Sequence, residues 1–165
     1  MFGPETLRLA ETALALCHAR GWRIATAESC TGGLLAAALT SVAGASDVIE
    51  RGFVPYSNAA KSELLGVPAE TIAAHGAVSA ETAAAMANGA LTRTPADLAV
   101  AVTGIAGPEG GSADKPVGLI CLAFARRDTG ECRTERHVFA GDRAAIREAA
   151  LRAVLQRLAD LARAA

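Results

Sequence analysis

Ser29 stands at the end of a short apolar run and just before Cys30-Thr31-Gly32-Gly33, surroundings that suit acyl transfer. A strand delivering its hydroxyl to a helix N-terminus would set it beside unpaired backbone N–H groups, where negative charge is favoured. The same place suits a plain helix cap, and local sequence favours that reading of Ser29. Serine is a weak nucleophile until a base takes its proton. The three histidines, His18, His75 and His137, are dispersed and none stands at a glycine-rich loop; His75, before Gly76, reads as a helix-end residue. Lysine is the remaining common base. Lys61 stands five residues after Tyr56 at the start of a helical segment, where partial burial could lower its pKa enough for it to accept a proton; a solvated lysine on a helix face is the default. Two rivals for the nucleophile are in view. Ser57 would face Lys61 at i,i+4 spacing, its plainer role being a helix N-cap. Cys30 would have a lowered pKa at a helix N-terminus, its plainer role being a buried, inert thiol.

A second group of residues could hold an anion. The segment Thr103-Gly104-Ile105-Ala106-Gly107-Pro108-Glu109-Gly110-Gly111-Ser112 is neither a G-x-G-x-x-G fingerprint nor a Walker A loop. Its glycines would still let backbone N–H groups approach an anion or an oxyanion, with the Thr103 hydroxyl aimed at the same place. Arg143, after Gly141-Asp142, opens the last helical segment, so its guanidinium could clamp a phosphate; a surface arginine is the default.

Alternating elements must position these residues. Apolar positions recur at helical spacing from Glu5 to Arg20, and Gly21 terminates the run. Trp22 to Ala27 reads as a strand and Leu34 to Leu39 as a helix. Val48 to Tyr56 reads as a second strand, which Pro55 would end or confine to an edge. Asn58 to Leu65, Pro68 to Ala74 and Ala80 to Leu91 read as helices, the last capped by Ser79. Leu98-Ala99-Val100-Ala101-Val102 suits a central strand buried on both faces. Val117 to Ala125 and Arg133 to Phe139 form a hairpin around Asp128-Thr129-Gly130, and Asp142 to Ala162 is an amphipathic helix. The sum is an α/β fold: a three-layer α/β/α sandwich around a mixed, mostly parallel sheet with one antiparallel hairpin, with ligands at the carboxyl ends of the strands. Three loops then compete for the site: Ser29 to Gly33, Tyr56 to Lys61, and Thr103 to Ser112.

Composition narrows the function. The 165 residues, 52% hydrophobic and 20% charged, suit one domain over residues 1–165. A formal charge of −1 and 4% aromatics give neither a basic stripe nor a stacking platform, so a small ligand is expected and nucleic acid is not. No apolar run approaches the ~20 residues of a membrane span, and the N-terminal residues lack a basic segment followed by an apolar core; a cytoplasmic protein is expected. Cys17, Cys30, Cys121 and Cys132 contain no CxxC pair and the histidines are equally dispersed, so no zinc site is legible; no cofactor is expected. Ala-rich helices leave a homo-oligomer open.

Taken together, TAESCTGG (residues 26–33), ERGFVPYSN (50–58), Lys61, HGAVS (75–79), TGIAGPEGG (103–111), KPVG (115–118) and GDR (141–143) occur in an order that resembles the C-terminal domain family of the competence-damage protein CinA. Its standalone members are nicotinamide-nucleotide amidohydrolases. The resemblance runs from about Gly21 to about Arg143; Pro55 departs from the threonine often found before Tyr-Ser-Asn. It implies hydrolysis of the carboxamide of nicotinamide mononucleotide to nicotinate mononucleotide and ammonia, without a metal. It points to Ser29 as nucleophile, to Lys61 and Tyr56 as its activating partners, and to Thr103 and Arg143 in the pocket. The oxyanion is then expected against N–H groups of Cys30, Thr31, Gly32, Gly33 or Gly104. A pyridine-nucleotide-binding module without catalysis is the alternative.

Overall fold

The computed structural model describes residues 2–165. Eleven regular elements follow in the expected order: α1 (Pro4–Ala19), β1 (Ile24–Glu28), α2 (Leu34–Thr40), β2 (Ile49–Phe53), α3 (Asn58–Leu65), α4 (Ala69–His75), α5 (Ala80–Thr92), β3 (Leu98–Gly104), β4 (Leu119–Arg126), β5 (Cys132–Val138) and α6 (Arg143–Ala164). A short 3-10 turn, Ala45–Asp47, was not foreseen. β1 begins two residues later than expected, the Trp22 N–H still donating to Cys17 O of α1 at 3.0 Å while the Arg126 guanidinium lies over its ring, 4.9 Å from the centre. β2 stops at Phe53; Pro55 has no N–H with which to continue a ladder.

The sheet order is β2-β1-β3-β4-β5. β1 runs parallel to both β2 and β3, while β4 is antiparallel to β3 as well as to β5. The sheet is therefore mostly parallel in strand direction, with β4 alone reversed. Helices cover both faces, and the period-2 alternation of the strands sorts side chains by size. Ile24, Leu98, Val100, Val102, Ile120, Leu122 and Phe124 face α1, α2 and α6. Ala25, Ala27, Ala99, Ala101, Cys121, Ala123 and Ala125 face α5, which answers with Ala83, Met86, Ala87 and Ala90. Small residues on both sides let α5 lie close against the sheet, and α3 in turn packs on α5 at Gly89, where a Cβ would overlap the backbone of Leu65.

This arrangement brings the carboxyl ends of β1, β2 and β3 to one edge, where the sandwich predicts a ligand site. No described helix is long and apolar enough to cross a membrane, and among the described residues no three of His, Cys, Asp and Glu converge as a metal would require.

Candidate active site

Ser29 follows β1 directly, and its N–H donates to Val102 O of β3 at 2.8 Å. It does not cap α2. The N-cap is Gly33, four residues on, in the left-handed conformation (φ 94°) that glycine adopts without a Cβ penalty. The α2 N-terminus is also occupied: the carboxylate of Glu28, wholly buried at the end of β1, accepts from Gly33 N at 3.2 Å, Leu35 N at 3.0 Å and Ala36 N at 2.9 Å. Gly32 N donates to Ser29 O at 3.1 Å. Among the described residues, the N–H groups of Cys30 and Thr31 are the ones in this turn that donate to no backbone oxygen.

Lys61 is one of the largest wholly buried side chains, only 1% exposed. It stands on α3, whose N-terminus is capped by Ser57 accepting from Ala60 N at 3.0 Å, so Ser57 takes its plainer role. The Lys61 side chain turns away from Ser57 and into the gap between β1 and the β2–α3 loop. There Nζ donates to Ser29 Oγ at 3.2 Å, Pro55 O at 3.2 Å and Tyr56 O at 3.3 Å. Burial pushes its pKa below the ordinary lysine value of 10.5, opposed by the nearby Cys30.

Those three bonds have a chemical consequence. A lysine ammonium has three donors, and all three are used. When the amine is neutral, two N–H groups remain on the Pro55 and Tyr56 carbonyls, which can only accept. The lone pair is left facing Ser29 Oγ, the one neighbour with a proton to give.

Cys30 lines the same cavity, yet burial pushes its thiol up to about 12, and it is not at the helix N-terminus that would have lowered it. A thiol held protonated in this way is a poor nucleophile. Tyr56 is 60% exposed, and its phenol accepts from Arg143 Nη2 at 3.1 Å; the group it offers Lys61 is its backbone carbonyl. Arg143 opens α6 behind the Asp142 cap, and its Nη1 donates to Gly107 O at 2.9 Å. The Thr103 hydroxyl, buried at the end of β3, donates to Ala77 O at 2.8 Å and so joins the segment 75–79 to the site. Gly104 lies beside it, where a Cβ would overlap Ile120 and Leu119 O.

Ser29, Cys30, Tyr56, Lys61, Thr103 and Arg143 thus converge on one cavity of about 240 Å³, with Gly104 and Asn58 also in its wall. Gly32 and Gly33 shape the turn behind it, with positive φ at both and their N–H groups engaged. None of the three histidines lines the cavity; His75 sits at the end of α4, 3.6 Å from Glu81. Two side chains behind the turn escaped the sequence reading. Glu28 is one. Arg147 is the other: its Nε donates to Cys30 O at 3.1 Å and its Nη2 to Thr31 O at 2.8 Å. Its place one turn after Arg143 on α6 is the signal that could have found it.

The family model of the CinA C-terminal domain matches residues 6–162. The nicotinamide-nucleotide amidohydrolase PncC of Escherichia coli K12 is 49% identical over 158 residues, which cover 96% of this chain and 95% of that protein. The CinA-like protein of Syntrophobacter fumaroxidans is 53% identical over 136 residues, 82% of this chain; the match spans about a third, 32%, of that longer relative. Among solved structures, the competence/damage inducible protein CihA from Agrobacterium tumefaciens superposes with a TM-score of 0.94 at 48% identity, covering 98% of both chains.

Proposed function

The chain belongs to the CinA C-terminal domain family, and on that premise we propose that it hydrolyses the carboxamide of nicotinamide mononucleotide to nicotinate mononucleotide and ammonia. The observation that carries the reading is the buried Lys61 amine 3.2 Å from Ser29 Oγ, with its other two donors on carbonyls.

Neutral Lys61 takes the Ser29 proton as Oγ attacks the amide carbon, and the tetrahedral oxyanion is received by the N–H groups of Cys30 and Thr31. The Lys61 ammonium then returns its proton to the leaving nitrogen, which departs as ammonia. Water, deprotonated by the neutral amine, attacks the acyl carbon and releases the carboxylate, and Ser29 regains a proton from Lys61. Tyr56 serves twice: its carbonyl aims the lysine lone pair, and its phenol steadies Arg143. The Arg143 guanidinium, with donors to spare beyond Gly107 and Tyr56, binds the phosphate and keeps the amide in register. No step in this sequence calls for a metal, and a cytoplasmic setting fits a salvage reaction of this kind.

Purified protein incubated with nicotinamide mononucleotide, with and without a chelator, tests the reading by ammonia release. Equal release in both arms is expected. Binding without turnover would replace the enzyme by a nucleotide-binding module.

A further inference from the structure

We propose that Glu28 and Arg147 are positioning residues that clamp the Ser29 turn from two sides and fix its peptide groups for the reaction. The proposal rests on the amidase reading and adds to it two residues that touch neither base nor phosphate.

A buried carboxylate is costly unless hydrogen bonds satisfy it, and Glu28 is wholly buried. Its two oxygens are satisfied by three N–H groups of the α2 start. A serine or aspartate at position 33 could cap the helix locally. A carboxylate reaching from β1 does something a local cap does not: it ties the residue before Ser29 to the helix after it, closing the turn at both ends. It also occupies the helix N-terminus, so that end does not receive the oxyanion.

Arg147 acts on the opposite side of the turn. In a trans peptide the C=O and the next N–H point in opposite directions. With Cys30 O held by Arg147, the Thr31 N–H faces away from Arg147. With Ser29 O held by Gly32 N, the Cys30 N–H faces away from Gly32. The two N–H groups therefore owe their directions to bonds made behind the turn. Losing those bonds would let the peptides rotate and Ser29 Oγ drift from Lys61, where a misplacement of about 1 Å costs about 100-fold.

Two variants test this. Glu28→Gln keeps the shape of the side chain but replaces one acceptor by an NH2 group facing backbone N–H donors. Arg147→Lys keeps the charge but lacks the fork that spans two carbonyls. For each folded variant, checked by circular dichroism, kcat is expected to fall about 10- to 100-fold with KM within about threefold. The rate at which a fluorophosphonate labels Ser29, read by intact mass, is expected to fall in parallel. Folded variants with wild-type kcat and labelling would overturn the proposal, as would a raised KM with kcat held. Should Glu28→Gln fail to fold, Arg147→Lys decides alone. Wild-type protein that labels at Ser29 but releases no ammonia would overturn the substrate reading, while the labelling rates of the variants would still decide this one.

Discussion

Lys61 Nζ lies 3.2 Å from Ser29 Oγ although 32 residues separate them, and the lysine reaching that point is only 1% exposed. Two carbonyls, of Pro55 and Tyr56, account for its other donors. This is an expensive place for an ammonium and a suitable one for an amine that must be neutral to work.

The pH dependence follows from that burial. Protonated Lys61 cannot accept a proton, and its pKa lies below the ordinary 10.5. Activity should therefore rise with pH through the lowered lysine pKa and level off before 10.5. A kcat/KM profile measured from pH 6 to 10 checks this; a flat profile would remove Lys61 from the role of base.

Replacing Ser29 by alanine should lower kcat at least about 1,000-fold, as loss of a nucleophile does in serine hydrolases. Cys30→Ala keeps the backbone N–H and loses only a thiol whose pKa burial holds at about 12, so activity should fall less than about tenfold. Ammonia release by the two variants compares them directly, and the opposite order would make Cys30 the nucleophile.

Much of this site was legible because its residues sit where the sequence changes character. Ser29 ends an apolar run, Thr103 ends another, Arg143 follows a helix cap, and each lies at a strand or helix terminus that local pattern locates. What local pattern could not supply was direction. Ser29 read as a cap because a serine before a helix usually is one, whereas the cap is delivered by Glu28, a residue that short-range rules assign to the strand. The resemblance names Tyr56 as an activating partner without saying through which atom; the sharp exit from β2 at Pro55 presents two backbone carbonyls to Lys61 and leaves the Tyr56 ring on the exposed rim. Likewise the β3–β4 pairing is antiparallel because the long loop 105–118 turns back on itself, which the apolar runs on either side do not encode.

Lys61→Met should stabilise the protein while abolishing turnover. The native state favours the neutral lysine, so between the lowered folded pKa and 10.5 the unfolded chain binds more protons and stability rises with pH. Below that window the folded protein carries the cost of the buried charge, which methionine of similar length removes. Thermal unfolding at pH 7 should show a higher Tm for the variant, and the gap should narrow toward pH 10.

Gly89 links packing to chemistry. Alanine is usually better than glycine inside a helix by about 1 kcal/mol. Here a Cβ would overlap the Leu65 carbonyl at the end of α3, so Gly89→Ala should instead lower Tm. Because α3 carries Lys61, its displacement should also lower kcat. A stabilised variant with full activity would show that α3 can shift without moving the base.

A substitution at Arg143 tests phosphate recognition apart from catalysis. It stands off the Ser29–Lys61 pair, anchored by Gly107 O and the Tyr56 phenol, on the exposed rim of the cavity. A charge-assisted contact of this kind contributes about 1.5–3 kcal/mol, which corresponds to roughly 10- to 150-fold in KM. Arg143→Ala should therefore raise KM by that order for nicotinamide mononucleotide and change the riboside, which lacks the phosphate, by less than about threefold. If both substrates lose equally in kcat, the guanidinium acts on the reacting end, through Tyr56 and the carbonyl that aims Lys61, rather than on the phosphate.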